Sequence, residues 1–258
     1  MQTNTTKQKL RDGKVVFGAI VGECAPTSVE VLGRIGFDFI MIDCEHGSMG
    51  LLEVEHLVRA CETAGITPLA RVPDHAPSTI LRFLDRGVQG VIVPHVNSKA
   101  EAEAVVKAAR YYPDGERSIG STRAHDYNIG VSRVEAARWL NEQVMVIPMV
   151  ESVQAVAALD EILSVPGIDV IHCAPNDLAQ SMGFPPEEEV VKLRKEVIAR
   201  CKAAGIPVGI GGNSPRDSAA VAELAKAGAT FVTVPALGML QLGADQFRRG
   251  VQVALADA

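Results

Sequence analysis

Four short stretches of the sequence contain residues of the types that catalyse reactions. The densest is Asp43-Cys44-Glu45-His46-Gly47, which places two carboxylates, a thiol and an imidazole beside a glycine. The other three supply a guanidinium, Arg71, and two carboxylates, Glu151 and Asp177. Such side chains serve in proton transfer, anion binding and divalent-metal binding. These stretches therefore contain the candidate functional residues.

His46 is the candidate general base. Imidazole titrates near neutral pH, so it can accept and return a proton under ordinary conditions. An isolated histidine is more often a hydrogen-bonded structural residue, and that interpretation is kept for His56, His75, His95, His125 and His172. His46 differs from these because it shares one stretch with two carboxylates, which favours a catalytic role.

Glu151 and Asp177 are the candidate metal ligands. Two ionised carboxylates placed together repel and raise each other's pKa, and a divalent cation removes that conflict. Two oxygen ligands with positions left for water and substrate suit Mg²⁺ or Mn²⁺ better than a closed zinc site. The alternative is that Glu151 only starts the following helix as a favourable N-terminal carboxylate and that Asp177 only caps the next helix.

Arg71 is the candidate anion-binding group. A guanidinium keeps its proton, so we expect a strand end to hold it only against an anion. A substrate carboxylate or an enolate oxygen would serve, and an ion pair with Asp43 or Glu45 is an alternative that can coexist with it. The lysines lie in the N-terminal segment or in helical patterns. This placement argues against an aldolase that forms an imine on a barrel strand.

The elements that precede these stretches give them a common location. Eight short apolar runs recur, each followed by a helical pattern, which predicts a (β/α)₈ TIM barrel of parallel strands. In such barrels the active site lies at the carboxyl ends of the strands, where the four stretches are predicted to meet. The predicted strands are Val15–Val21, Phe37–Asp43, Thr67–Arg71, Gln89–Pro94, Val144–Val150, Ile168–Cys173, Ile206–Ile210 and Thr230–Val234.

Alanine- and glutamate-rich segments between these runs predict helices, three of them ending at Gly65, Gly205 and Gly228 as C-caps. The segment Tyr111–Val131 is too long and polar for a simple connection, and a lid, a subunit contact and a surface excursion all fit it. Residues 1–14 are polar and predict a flexible tail on a single domain, 1–258. The predicted helices are Leu51–Ala64, Lys99–Tyr111, Ser152–Leu163, Val190–Ala204 and Ser218–Ala227.

Composition narrows the class of protein. The 258 residues carry 25 Lys and Arg against 31 Asp and Glu, and 47% are hydrophobic, which excludes disorder as the main state. A net charge of −6 provides no basic surface for nucleic acid or an anionic membrane, so the expected partners are small molecules. Five cysteines without a C-x-x-C pair suit free thiols, and the absence of a signal-like or bilayer-length segment predicts a cytoplasmic protein.

Taken in order, six motifs resemble those of the HpcH/HpaI aldolases, which are metal-dependent class II pyruvate aldolases. The resemblance runs from about Gly18 to the C-terminus, and the motifs are specific only as a set. They are Asp43-Cys44-Glu45-His46-Gly47, Ala70-Arg71-Val72-Pro73, Gly90-Val91-Ile92-Val93-Pro94, Tyr112-Pro113-Asp114-Gly115-Glu116-Arg117, Glu151-Ser152 and Ala174-Pro175-Asn176-Asp177-Leu178.

The resemblance implies a barrel of the phosphoenolpyruvate/pyruvate-binding type, with its eighth helix exchanged between partners in a homo-oligomer, a hexamer. It implies Mg²⁺, Mn²⁺ or Co²⁺ on Glu151 and Asp177, His46 as the base, and Arg71 as the group that stabilises an enolate. Asp85 would raise the basicity of the histidine. However, Asp85 lies just past the third helix, near the opposite end of the barrel, and Asp43 is the nearer candidate.

Two departures from the family pattern concern the substrate. Met149 stands where the family usually has a substrate-contacting glutamine. The usual Gly-Pro-(Ala/Ser)-Asp-Leu motif is Ala174-Pro175-Asn176-Asp177-Leu178 here, so Asn176 replaces the usual alanine or serine. The predicted substrate contacts are Arg71, Met149, Asn176 and Asp177.

The implied reaction is metal-dependent aldol cleavage or addition of 4-hydroxy-2-oxoacids. It proceeds through a metal-bound enolate and interconverts the oxoacid with pyruvate, or a related 2-oxoacid, and an aldehyde. The alternatives are a barrel lyase or isomerase acting on a phosphorylated substrate, suggested by Gly209–Ser214, and a non-catalytic barrel protein.

Overall fold

Eight parallel strands close into a barrel in their order along the chain, and the last pairs with the first. The structure is a computed structural model that describes residues 2–256. The predicted TIM barrel is confirmed, and every predicted strand overlaps an observed one. The strands are β1 (Val16–Val21), β2 (Phe39–Asp43), β3 (Thr67–Arg71), β4 (Gly90–Val93), β5 (Met145–Val150), β6 (Ile171–Cys173), β7 (Val208–Ile210) and β8 (Ala229–Pro235).

Helices follow the strands around the outside of the barrel. Gly65, Gly205 and Gly228 have φ angles of 71°, 71° and 129°, which confirms the glycine-terminated helix ends. The segment predicted as one helix after β5 is two short helices that meet at Ala158. The helices are α1 (Thr5–Arg11), α2 (Pro26–Ile35), α3 (Leu51–Ala64), α4 (Pro77–Asp85), α5 (Lys99–Ala109), α6 (Arg133–Gln143), α7 (Val153–Ala157), α8 (Leu159–Leu163), α9 (Pro175–Ser181), α10 (Glu187–Ala203), α11 (Ser218–Ala227) and α12 (Ala236–Ala256).

Two apolar cores result because alternate residues of each strand face opposite sides. One lies between the strands and the helices, and the other fills the interior of the barrel. In the interior, the rings of Phe39 and Phe231 stack with their centroids 4.2 Å apart. Gly18 makes room for them, since a Cβ at this position would lie 2.0 Å from the Phe39 ring. The interior is thus packed at its base and opens only at the carboxyl ends of the strands.

The prediction of a flexible tail over residues 1–14 is wrong for the part that forms α1. Asn4 caps this helix by accepting a hydrogen bond from the backbone of Lys7. The helix lies under the barrel, where Thr6 is buried and donates to the backbone oxygen of Asp38 at 3.0 Å. Lys7 is also buried, and its Nζ lies 2.9 Å from Asp169. A polar sequence is ordered here because the barrel base supplies its partners.

The segment Tyr111–Val131 packs on the outer side of the barrel. Arg117 lies over the Tyr111 ring at 4.7 Å, and His125 pairs with the Tyr111 hydroxyl at 2.8 Å. A cavity opens at the carboxyl ends of the strands, the mouth of the barrel, and no residue of this segment lines it. The structure therefore does not place a lid here, and a subunit contact stays a prediction. No helix within residues 2–256 is both long and apolar enough to cross a membrane.

Candidate active site

The loop after β2 is shaped by the carboxylate of Asp43. Its Oδ1 accepts hydrogen bonds from the backbone N–H groups of Glu45 and His46, each at 3.2 Å. Gly47 permits the turn, because a Cβ there would lie 2.0 Å from the backbone oxygen of Asp43. The loop leaves the His46 side chain exposed at the mouth of the barrel. This is an accessible position for a general base.

Arg71, at the end of β3, is held in place by acidic neighbours. Its Nε and one terminal nitrogen donate to Asp43 at 2.9 and 2.7 Å, and the other terminal nitrogen lies 3.2 Å from Glu45. Burial acts to raise the pKa of Asp43, but hydrogen bonds and charge from Arg71 outweigh it and lower that pKa. The predicted ion pair is confirmed. Because a guanidinium has five N–H groups, two remain for an anion in the cavity.

Glu151 follows β5 and is only 3% exposed. Its Oε1 accepts the backbone N–H of His95 at 2.7 Å, and the His95 imidazole Nδ1 lies 3.1 Å from the same oxygen. Burial raises the pKa of Glu151; His95 opposes this, while Asp177 and Glu45 add to it. Ser152, not Glu151, caps α7, so the helix-terminus alternative is wrong for Glu151. Asp177 lies in the first turn of α9, where a carboxylate favours the helix N-terminus, but the N-cap is Ala174, so the prediction that Asp177 caps this helix is wrong.

A cavity of about 650 Å³ opens at this end of the barrel. Its lining includes His46, Arg71, Met149, Asn176 and Asp177, five of the seven predicted site residues. Glu151 is not part of the lining, but its carboxylate is close enough to act on the charges of Arg71 and Asp177. The cavity therefore brings together an imidazole, a guanidinium and the Asp177 carboxylate from three strand ends, and the Glu151 carboxylate lies behind this lining, within electrostatic reach.

Asp85 is the predicted site residue that the structure does not bring to the cavity. It ends α4 and pairs with Arg117 at 2.9 Å, on the outer side of the barrel. A helix that returns to the start of the next strand ends at the opposite side from the mouth, which explains the separation. Asp43 does reach His46, through the backbone N–H rather than the imidazole. A catalytic role for Asp85 stays a prediction that no contact within one chain supports.

The sequence profile of the HpcH/HpaI aldolase/citrate lyase family matches residues 20–239. The chain belongs to this family. It is 36% identical over 238 residues to a 4-hydroxy-2-oxovalerate aldolase of Novosphingobium aromaticivorans. The match covers 90% of this chain and 88% of that protein. A hydroxypyruvate/pyruvate aldolase of Rhizorhabdus wittichii is 38% identical over 223 residues, covering 84% and 86%.

The solved structures agree with this membership. An HpcH/HpaI aldolase/citrate lyase family protein from Burkholderia cenocepacia superposes with a TM-score of 0.89 and 30% identity, covering 97% of this chain and 100% of that one. This HpcH/HpaI family member is therefore an aldolase, a carbon–carbon lyase.

The donor set of this aldolase fits a divalent cation held by two carboxylates. Within the described residues, no group of three or more His, Cys, Asp or Glu side chains converges as a metal cage. Glu151 and Asp177 could supply hard oxygen ligands, and a cation beside them would offset both the burial of Glu151, which is the main cause of its raised pKa, and the repulsion from Asp177 and Glu45, which adds to it. The remaining positions would be free for water and substrate.

The glycine-rich stretch after β7 does not favour a phosphorylated substrate. Its Asn213 amide donates to the backbone oxygens of Ile210 and Thr233, at 3.0 and 2.9 Å, and so holds the loop to the barrel. Arg71 is the one Lys or Arg among the described residues that line the cavity.

Two histidines of this aldolase site were interpreted from the sequence as structural. His95 lies two residues after the end of β4 and contacts both Glu151 and, at 3.5 Å, Glu45. The strand-end rule that selected His46 applies equally to His95. His172 lies on β6 and lines the cavity. Residues two apart on a strand share a face, and Val170 and Ala174, on either side of His172, face the barrel interior. This spacing is the sequence signal that indicates an inward-facing His172.

Proposed function

We propose that this aldolase cleaves and forms 4-hydroxy-2-oxoacids, with pyruvate or a related 2-oxoacid and an aldehyde as the other side of the equilibrium. The observation that carries the proposal is that His46, Arg71 and Asp177 line one cavity, with the Glu151 carboxylate close enough to be influenced by the charge of Asp177. The relatives named as 4-hydroxy-2-oxovalerate and hydroxypyruvate/pyruvate aldolases support the same substrate class.

Glu151 and Asp177 would hold Mg²⁺, Mn²⁺ or Co²⁺. Bound there, the cation would supply a Lewis acid that polarises the keto oxygen of the substrate. The two carboxylates come from different strand ends, so the fold, rather than a local sequence motif, sets their spacing.

His46 would remove the proton of the C4 hydroxyl in the cleavage direction. The C3–C4 bond then breaks, its electron pair passes into the enolate of the 2-oxoacid, and the C4 hydroxyl becomes the carbonyl of the aldehyde. The two free N–H groups of Arg71 would stabilise the enolate oxygen, because Asp43 and Glu45 fix the guanidinium before substrate arrives. Protonation at C3 gives the 2-oxoacid, and the reverse order gives addition.

Chelation followed by metal restoration tests this function. Pyruvate release from a panel of 4-hydroxy-2-oxoacids, coupled to lactate dehydrogenase, should vanish in EDTA and return with Mg²⁺, Mn²⁺ or Co²⁺. Asp177→Asn should raise the metal concentration needed for half-maximal activity. Full activity in EDTA together with inactivation by borohydride would contradict the proposal, since it would demonstrate an imine mechanism.

We also infer that α12 covers a second copy of the chain in a homo-oligomer, a hexamer as the family pattern implies. None of its described residues is buried, and Leu240, Phe247 and Leu255 are exposed on one face. An apolar groove of about 460 Å³, lined in part by Phe17 and Val221, lies between β1, β8 and α11. A helix from another copy would bury both surfaces.

Native mass spectrometry tests the exchange of α12. Phe247→Asp should lower the oligomeric state, because it places a charge on the apolar face, which is 76% exposed in the single chain at this residue. Gln246→Asp adds the same charge to the opposite face and is the matched control. An unchanged assembly in Phe247→Asp would show that this face lies outside the interface.

A further inference from the structure

His172 is a polar residue in the interior of the barrel. It is the central residue of β6 and pairs in register with Met149 on one side and Gly209 on the other. Its neighbours on the same face, Val170 and Ala174, belong to the interior core. The side chain therefore points inward, among methionines and aromatic rings, and is only 2% exposed.

The strand beside His172 is shaped around the imidazole. A Cβ at Gly209 would lie 2.6 Å from Nδ1, and a Cβ at Gly211 would lie 2.8 Å from Nε2. On its other side the ring meets Phe231 edge to face, with centroids 5.8 Å apart. Two glycines on β7 and the loop after it thus leave room for a ring that no larger residue there would allow.

The ring of His172 packs on Phe231, but the polar atom Nδ1 is not used in the fold. Nδ1 is buried and has no hydrogen-bond partner among the described residues. Burial, with help from the charges of Arg71 and Arg194, lowers the pKa of His172 to about 3, so the ring is neutral. A buried polar group without a partner is unfavourable for stability, which is a reason to look for a functional role.

The cavity supplies that role. His172 and Gly211 both line it, so the Nε2 edge of the ring is the edge nearest to a bound substrate. Met41, Met149 and Ala174 also line the cavity and belong to the apolar core of the barrel interior, so this part of the lining is the cavity floor. Among the side chains of this floor, the imidazole of His172 is the one that can form a hydrogen bond.

We propose that His172 is a specificity-determining residue that forms a hydrogen bond with a hydroxyl group of the substrate on the cavity floor. A hydroxyl both donates and accepts, so it matches either tautomer of a neutral imidazole. A carboxylate would instead require a cation, which Arg71 already provides. The inference rests on the proposed aldolase function. The hydroxyl has two sources, a hydroxylated 2-oxoacid or a hydroxylated aldehyde.

Substrate pairs that differ by one hydroxyl group test the proposal in the addition direction. Hydroxypyruvate is compared with pyruvate as the 2-oxoacid, and glycolaldehyde with acetaldehyde as the aldehyde. His172→Leu, which is apolar and of similar size, should lower kcat/KM for the hydroxylated member of one pair about 10-fold more than for its partner. His172→Gln, which keeps a donor and an acceptor, should restore most of that difference. The pair that responds identifies the source of the hydroxyl.

Thermal unfolding separates this role from a structural one. Because Nδ1 has no partner to lose, His172→Leu should have a Tm equal to or above that of the wild type. Equal losses of kcat/KM for both members of both pairs, or no loss for any of them, would overturn the proposal. The wild type serves as the check on the underlying function: without aldol addition by the wild type, the proposed aldolase function itself fails, whatever the variants do.

Discussion

The two ends of the barrel treat buried charge in opposite ways. At the base, Asp169 accepts hydrogen bonds from Arg110 at 2.8 Å and from the backbone of Val146 at 2.9 Å, and it also pairs with Lys7. At the mouth, the buried carboxylate of Glu151 faces two further carboxylates and has one imidazole beside it. The carboxylate of Asp169 is neutralised by Lys7 and Arg110, whereas no Lys or Arg within residues 2–256 forms an ion pair with Glu151.

The same arrangement of hydrogen bond and ion pair occurs twice at the base of the barrel. Asp38 and Asp169 each stand just before a strand, and each accepts a backbone N–H from the neighbouring strand, of Phe17 and Val146 respectively. Each also pairs with a lysine of α1, Lys9 or Lys7. Such repetition is suited to stability. The mouth has no such repetition, because its side chains are arranged around a reaction.

Replacing the buried carboxylate at the mouth should have the largest effect. Glu151→Gln keeps the shape and the hydrogen bond from His95, but removes the charge of a proposed metal ligand. We expect kcat/KM to fall by about 10³-fold or more, since several kcal/mol of transition-state stabilisation depend on that charge. Tm without metal should stay equal or rise, because a neutral amide replaces a carboxylate with a raised pKa.

The matched control is Glu189→Gln, the same change on the exposed face of α10. It should alter neither activity nor Tm. A Glu151→Gln protein that unfolds at lower temperature than the wild type would show that the mouth carboxylate stabilises the fold, and the contrast between the two ends would then be wrong.

The same type of change at the base should give the opposite result. Asp169→Asn leaves Lys7 and Arg110 without their counter-charge, so we expect the free energy of unfolding to drop by about 3 kcal/mol. The kcat/KM of the folded enzyme should be unchanged. Asp177→Asn at the mouth should lose activity and keep its stability. Denaturant unfolding of both variants measures the change in the free energy of unfolding, and steady-state kinetics measures the change in kcat/KM.

The two ends also differ in how far the sequence predicted them. Thr67–Arg71 was predicted to the residue, because a short apolar run ending in a charge reports both the strand and its end. The helix α1 was missed, since its polar residues find their partners only when the barrel closes. His172 was missed for a related reason: its significance depends on Gly209 and Gly211, which are brought to it by strand pairing.

Two histidines test the contrast at the next level of effect. His46 is exposed at the mouth, and His46→Ala should lower kcat/KM by about 10²-fold, the usual contribution of a positioned base, with Tm unchanged. His125 is buried on the outer side of the barrel, between Tyr111 and Thr122. His125→Ala should lower Tm and leave kcat/KM intact. Metal affinity, measured by calorimetry, should stay the same in His46→Ala, and a combined loss of metal and fold would make His46 structural.

The smallest effect concerns Met149, which lines the cavity and is 1% exposed. Its thioether donates no hydrogen bond, so we expect the cavity surface at Met149 itself to favour apolar parts of the aldehyde over hydroxylated ones. Met149→Gln should shift the ratio of kcat/KM values toward the hydroxylated aldehyde by about 10-fold at most, because a single neutral contact changes. An unchanged ratio with unchanged metal affinity would show that the substrate does not contact Met149. Other residues at the mouth of the barrel would then determine which aldehyde is accepted, and the departure of Met149 from the family pattern would carry no information about the substrate.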